Sequence, residues 1–265
     1  MPKVSIIIPT YNRRNALQRA IQSVLDQTFK DYEIIVVNDG STDNTADYLS
    51  TIEHKALRSI HCDRNHGGGF ARNQGIDQST GEYTAFLDDD DAWEPVKLKE
   101  QVSLLSTEGA GLCHTGFNLF SEDGSFIKYV FYRPKFNDLF KSIQYDNFLG
   151  GTSSVLVKST LVKAINGFDT ELPALQDYDF FIRLLKNGCT LASIEMPLVR
   201  YYFFDRDKNV SFNYKNHMAA VRRLKEKYRH EPDFHLLKKA LRRITFKKAL
   251  KSREFLKDGI KSFFK

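Results

Sequence analysis

Short apolar runs that stop abruptly at polar, turn-forming residues alternate with helical periodicity along the first hundred residues. Val4-Ser5-Ile6-Ile7-Ile8 reads as a buried first strand ended by Pro9. Glu33-Ile34-Ile35-Val36-Val37-Asn38 reads as a second, closed by the turn chemistry of Asp39-Gly40-Ser41. Tyr83 to Leu87, just after Gly81, reads as another. Between the first two, Asn12 is placed to cap a helix that carries Leu17, Ile21, Val24 and Leu25 on one face. Asp43 to Ile52 reads as a helix, Leu57 to Cys62 as a strand, and Gly67-Gly68-Gly69 opens a further helix. Such alternation implies an α/β fold, a largely parallel central sheet flanked by helices. Sheets of this kind bind ligands beyond the carboxyl ends of their strands. Thr10-Tyr11-Asn12, Asn38-Asp39-Gly40 and Asp88-Asp89-Asp90-Asp91 all fall at those ends.

The last of these runs is the most unusual. Four adjacent carboxylates repel one another, so folding alone does not favour them. Two readings stand: a solvated acidic turn before the helix starting near Glu94-Pro95, or a site for a positive partner. That partner is a divalent metal or clustered Arg and Lys, and carboxylate oxygens suit Mg²⁺ or Mn²⁺.

The chain has 265 residues, 42% of them hydrophobic, enough for one large α/β domain or a domain with an extension. No apolar run reaches the roughly 18–20 residues of a membrane span. Met1-Pro2-Lys3-Val4-Ser5 leads straight into a strand rather than a signal peptide. Cys62, Cys113 and Cys189 are far apart and lack disulfide-framework or zinc-ligand spacing, which points to a reducing cytoplasm. Charge splits unevenly: residues 215–265 carry 17 Lys/Arg against 5 Asp/Glu, and the preceding 214 carry 22 against 28. An enzyme-like body with a basic tail that meets an anionic surface fits that split.

Periodicity blurs after residue 106. Gly111 to Phe120 and Ser154 to Lys158 read as strands, Leu161 to Ile165 as a short helix and Gln176 to Leu185 as a longer one. From about Asn216 the chain turns helical and basic, with Leu237, Leu241, Ile244, Leu256, Ile260 and Phe263 as apolar positions.

Four motifs occur in order at familiar intervals: Pro9-Thr10-Tyr11-Asn12-Arg13, Asn38-Asp39-Gly40-Ser41-Thr42-Asp43, Phe86-Leu87-Asp88-Asp89-Asp90-Asp91 and Gln176-Asp177-Tyr178-Asp179. Together they resemble glycosyltransferase family 2, enzymes of the GT-A fold, over about residues 3 to 205. The resemblance implies a nucleotide-sugar part over about 1–107, an acceptor region over about 108–214, and an unmatched basic helical extension over 215–265. It implies inverting, metal-dependent transfer of a sugar from a nucleoside diphosphate sugar, UDP-linked in our reading, to a hydroxyl of a glycan or lipid-linked acceptor. A cytoplasmic enzyme of bacterial surface polysaccharide synthesis, peripheral at the inner face of the membrane, suits the basic tail.

Each motif also makes chemical sense by itself. Asp39 at a strand end can accept from a base N–H or a ribose hydroxyl, while the resemblance puts it on the base with Pro9, Thr10 and Tyr11 around it. The alternative is a capping turn with Ser41 or Thr42 as the cap. The glycines before Arg72 bring backbone N–H groups and a guanidinium toward phosphate, and Arg72 matches a nucleotide-associated position of the family. The other reading of Arg72 is an exposed helix-start arginine. By resemblance Asp88 meets the ribose or a metal-bound water and Asp90 is the direct metal ligand. Asp89 then adjoins the nucleotide sugar, and Asp89 and Asp91 are expected to face solvent or support the others. Asp177 matches the family's acceptor-side base. Gln176 replaces the usual Glu, removing a charge that would raise the pKa of Asp177. Asp179 is the rival base, read instead as an i, i+4 partner of Arg183.

Weaker candidates remain. Gly150-Gly151-Thr152-Ser153 reads as an acceptor-flanking loop or a plain turn. His114 and His217 read as structural or as further metal ligands, and Trp93 as core or sugar-pocket wall. No serine or cysteine sits in a triad context. For the tail there are three readings: helices packed on the domain, an oligomer contact, or a surface on anionic lipid; no nucleic-acid reader motif accompanies it. Two other functions fit less well. A sugar nucleotidyltransferase requires a glycine-rich Arg/Lys signature where Pro9-Thr10-Tyr11-Asn12-Arg13 stands, and a non-catalytic nucleotide-sugar-binding protein has only Gln176 in its favour.

Overall fold

The computed structural model describes residues 1–121, 123–203 and 213–251. β1 (Val4–Thr10), α1 (Arg14–Leu25), β2 (Tyr32–Asn38), α2 (Thr45–Ser50) and β3 (Leu57–His61) come first. α3 (Gly68–Gln78) leads to β4 (Tyr83–Phe86), and a short β5 (Ala92–Trp93) precedes α4 (Lys97–Glu108). β6 (Leu112–Ser121), β7 (Phe126–Val130), α5 (Leu139–Tyr145), β8 (Val155–Lys158) and α6 (Ser159–Ala164) follow. α7 (Gln176–Lys186), β9 (Leu191–Phe203), α8 (Tyr214–Lys227) and α9 (Phe234–Lys251) complete the described chain.

One mixed sheet runs in the order β3-β2-β1-β4-β8-β6-β9-β5, with β7 paired to β6. β3, β2, β1 and β4 are parallel, as are β6 and β9, whereas β8, β5 and β7 join antiparallel. Strand order reverses about β1: β2 lies on one side and β4 on the other. A crevice opens at such a switch point, beyond the strand carboxyl ends. The all-buried runs of β1 and β2 follow from cover on both faces. Val4, Ile6 and Ile8 pack with Leu17, Ile21 and Val24 of α1 and with Leu98 and Leu105 of α4. Ile7, one residue out of phase, packs on the other face with Ile76 of α3 and with Phe180 and Leu184 of α7.

β1 runs through Pro9 to Thr10 instead of ending at Pro9. Thr10 carbonyl accepts from Asp39 N–H on the β2 side, and Ile7 carbonyl accepts from Leu87 N–H on the β4 side. Pro9 shares the orientation of Ile7, and pairing with β4 stops at Ile7. Its missing N–H therefore leaves no ladder bond unmade.

Asn12 does not cap α1. It has φ 54°, and its Oδ1 accepts from the backbone N–H groups of Thr42 and Asp43, tying the loop after β1 to the loop after β2. Neither Ser41 nor Thr42 caps α2; Asp43 Oδ1 accepts from Thr45 N–H at 3.0 Å.

The basic C-terminal helices are part of the core. Ala220, Val221, Leu224 and Tyr228 of the α8 region and Leu237 and Leu241 of α9 share one buried cluster with α7 and α5, with Ile244 packed on it. Lys227 pairs with Asp169 and Asp179, and Arg223 with Glu171. Leu256, Ile260 and Phe263 lie outside the described residues. Among the described residues no helix is long and apolar enough to cross a membrane.

Candidate active site

A cavity of about 840 Å³ opens at the carboxyl ends of β1, β2 and β4. Pro9, Thr10, Tyr11, Asp39, Arg72, Asp88, Asp89, Asp90 and Asp177 all line it, gathered from five separate stretches of chain. The residues that the four motifs and Arg72 assign to the nucleotide sugar, the metal and the base thus meet at one cavity, whereas Trp93, His114 and Asp179 do not line it.

Its acidic wall is held by cations and hydroxyls. Arg13 donates to Asp89 at 3.2 Å and to Asp90 at 2.6 Å. Thr10 Oγ1 donates to Asp89 Oδ2 at 2.7 Å, Arg72 pairs with Asp88, and Ser153 Oγ donates to Asp91 Oδ2 at 2.6 Å. Asp89 and Asp91 do not face solvent: they are 6% and 5% exposed. The turn at Asp88-Asp91, closed by Asp91 N–H on Asp88 carbonyl, folds both inward onto Thr10 and Ser153. Burial raises the pKa of Asp89 to about 7, against the pull of Arg13. It also raises Asp90 and, further, Asp91, with repulsion from their acidic neighbours adding to the shift.

Carboxylate oxygens of Asp88, Asp90 and Asp91 lie within 4.8 Å of one another. Hard oxygen donors that are desolvated and mutually repelling fit a divalent cation, which would relieve both costs. Tyr201 hydroxyl is buried beside these acids, and burial together with the field of Asp91, Asp88 and Asp177 raises its pKa well above the usual tyrosine value. His114 and His217 are absent from this cluster: one ring bonds Ser193 and the other Thr245.

Asp39 is 3% exposed and accepts from the backbone N–H groups of His66 and Gly67, at 3.0 and 2.7 Å. It anchors the glycine-rich turn that opens α3, while its carboxylate still borders the cavity. Arg72 follows on that helix and is mostly buried, with its guanidinium near the Phe168 ring, not splayed into solvent.

Asp177 lies in the first turn of α7, after Leu175 at φ 57°. Left-handed backbone costs a residue with a Cβ roughly 1–2 kcal/mol, and such positions gather at functional sites. Burial raises the pKa of Asp177, opposed by the Tyr178 backbone N–H and by Arg72. Gln176 donates its amide to Leu172 carbonyl at 2.7 Å and packs over Gly69, where an added Cβ would meet it at 3.0 Å. Asp179 is fully buried and bonded to Arg183, Lys227 and Tyr228 at 2.7–2.8 Å. Those bonds commit it to holding α7 to α8.

Several contributors lie outside the four motifs. Thr152 and Ser153 touch Asp88 and Asp91 from about sixty residues away, beside the cavity mouth. Trp93 is core, and its Nε1 steadies the Ser153 carbonyl at 2.9 Å. Asn216, His217 and Lys248 bring the C-terminal helices to the cavity wall. Arg13 ends the first motif, and Thr152, Ser153, Trp93 and His217 are candidates by local sequence, but none of their contacts with distant segments is readable there; Asn216 and Lys248 have no signal beyond the basic tail.

Residues 5–162 match the model of glycosyl transferase family 2. The chain belongs to that family and is a glycosyltransferase of the GT-A fold. It shares 31% identity over 205 residues with TuaG of Bacillus subtilis (strain 168), a glycosyltransferase provisionally assigned to teichuronic acid biosynthesis; the match spans 76% of this chain and 79% of TuaG. Residues 1–349 of S. aureus TarS, solved with UDP-GlcNAc, superpose with TM-score 0.69 at 21% identity, over 89% of this chain and 70% of that one. The Pyrobaculum calidifontis mannosyltransferase PcManGT, solved with GDP-Man and Mn²⁺, gives 0.65 at 19% identity, over 92% and 69%. At these identities the two structures speak for the fold.

Proposed function

We propose that this chain is an inverting, metal-dependent glycosyltransferase moving a sugar from a nucleoside diphosphate sugar, with UDP as the nucleotide, to a hydroxyl of a glycan or lipid-linked acceptor. The observation that carries this reading is one cavity bordered by both the Asp88-Asp90 cluster and Asp177. UDP-GlcNAc in TarS and Mn²⁺ in PcManGT support the donor and the metal.

In this reading Asp39 meets the base, with Pro9, Thr10 and Tyr11 around it, and Arg72 lies toward the diphosphate. Asp90 holds a divalent cation, Mn²⁺ or Mg²⁺, with Asp88 and Asp91 beside it. Asp89, held by Thr10 and Arg13, fixes the wall next to the donor. The metal, when bound, offsets charge that grows on the leaving diphosphate. Asp177 accepts the proton of the acceptor hydroxyl as that oxygen attacks the anomeric carbon opposite the leaving group. One bond forms, the sugar–diphosphate bond breaks, and no sugar–enzyme bond intervenes. A carboxylate whose pKa burial has raised suits that proton transfer.

Residues 1–214 carry the chemistry in this reading and 215–265 are a basic extension, of which α8 and α9 are packed onto the rest. Leu237 and Leu241 face inward, so contact with an anionic leaflet falls to the charged face. A peripheral place at the cytoplasmic side of the membrane, in surface polysaccharide synthesis, fits this and the TuaG relationship.

The test is a thermal-shift screen of nucleoside diphosphate sugars with and without Mn²⁺, followed by transfer assays on Asp177→Asn. That variant is expected to lose about 10²–10⁴-fold in turnover while calorimetry shows unchanged donor binding. Near-normal transfer would move the base elsewhere.

A further inference from the structure

The cavity lining has two chemically different parts. One is Asp88, Asp89, Asp90 and Asp177 with Arg13 and Arg72; the other is Asn216, His217 and Lys248, contributed by α8 and α9. Lys248 is half-buried and makes no hydrogen bond or ion pair among the described residues. Asn216 uses its backbone N–H on Asn213, and its side-chain amide is likewise unbonded. Three other cations of these helices are engaged, Lys227 with Asp169 and Asp179, Arg223 with Glu171 and Arg243 with Tyr145 carbonyl, whereas Lys238, Lys239, Arg242 and Lys247 are exposed to solvent and do not line the cavity.

His217, fixed by Thr245 at 3.1 Å, locks the start of α8 to α9 one turn before Lys248. The pairs of Arg223 and Lys227 bind α8 to residues 169–171, which lead toward Asp177. Lys248 lines the same cavity as residues 170–177, and none of the carboxylates of the acidic wall, where the proposed diphosphate lies, acts on it. Burial alone lowers its pKa, with no carboxylate of the acidic wall near enough to hold its proton on. A partly desolvated ammonium without an acid is costly, and an incoming anion would offset that cost.

We propose that Lys248, with Asn216 beside it, forms a subsite for an anionic group, phosphate or carboxylate, carried by the sugar acceptor. The inference rests on the donor–acceptor reading of the cavity given above. It makes the C-terminal helices part of acceptor selection and gives the acceptor a charge.

The test uses the full chain saturated with UDP and Mg²⁺. Inorganic phosphate, methyl glucuronide and neutral methyl glucoside are each titrated by calorimetry. Phosphate or glucuronide is expected to bind at least about tenfold more tightly than the glucoside; which of them does so identifies the anion. Lys248→Met should weaken the anion about tenfold, Lys248→Arg should retain it, and UDP affinity should be unchanged in both. Equal anion binding by Lys248→Met, equal binding of the glucoside, or displacement of the anion by UDP would overturn the subsite. Failure of UDP itself to bind would sink the donor reading and the subsite with it, a result separate from loss of the anion alone.

Discussion

Gln176 shows how one atom decides a residue type. Its Nε2 donates to Leu172 carbonyl, which an ionised carboxylate cannot do, because two acceptors would then face each other. Gln176→Glu is expected to cost about 1–3 kcal/mol, read as a lower denaturant midpoint at pH 8 that partly recovers under acid. Equal midpoints would show that the amide bond carries little. Asp90→Ala addresses the acidic wall. In the wild type, Mn²⁺ at a hundred times its Kd should add about 2.7 kcal/mol of stability. The variant should lose both that thermal shift and metal-stimulated turnover. A variant that keeps the shift would place the cation on other oxygens.

At the level of elements, α4 carries an unusual charge. Lys97 is fully buried, donates to Gln101 at 2.6 Å and lies over the Trp93 ring at 4.0 Å. Burial lowers its pKa from 10.5 to about 7. Below about pH 7 both folded and unfolded chains hold this proton, so the burial penalty is fully present. Between about 7 and 10.5 the folded state sheds it first, and the penalty fades. Lys97→Met is therefore expected to melt higher by on the order of a few degrees at pH 6, with the gap narrowing as pH rises. A gap that does not change with pH would mean that Lys97 acts through packing alone.

At the scale of the whole molecule, the basic extension has two faces, one apolar and buried and one charged and exposed. Its apolar positions close the core over α7, so a cut near residue 215 would strip Val221, Leu224, Tyr228, Leu237 and Leu241 from it. Membrane contact is better tested on the exposed face, where Lys238, Lys239, Arg242 and Lys247 stand. Near an anionic leaflet each basic residue contributes about 1 kcal/mol. Reversing all four to Glu should lower binding to phosphatidylserine vesicles by more than about tenfold without moving the melting temperature. Unchanged sedimentation with vesicles would remove the membrane role.

The N-terminal half was legible because its signals are local. An apolar run with Asp or Asn at its end marks a strand and its functional tip, and period-2 burial places Ile7 and Ile8 on opposite faces of one sheet. Resemblance across four motifs added the family. Beyond residue 106 legibility is partial: β6, β8, α6, α7 and the C-terminal helices fall where the sequence places them, whereas β7, α5 and β9 escape it, their patterns mixed; β6 itself turns from buried to half-buried along its outer end. Which acids turn inward was not local either. Asp89 and Asp91 are buried because Thr10 and Ser153, far off in sequence, offer them hydroxyls. Sequence alone determined the strand order of types, the acid-tipped strand and the residues bound for one cavity. Tertiary structure decided which of Asp88 to Asp91 are buried and what holds them, what Asp179 binds, and that α8 and α9 of the basic tail line the cavity. Those outcomes depend on pairings between distant segments, and a hydrogen bond or buried contact across such a distance leaves no trace in either segment by itself.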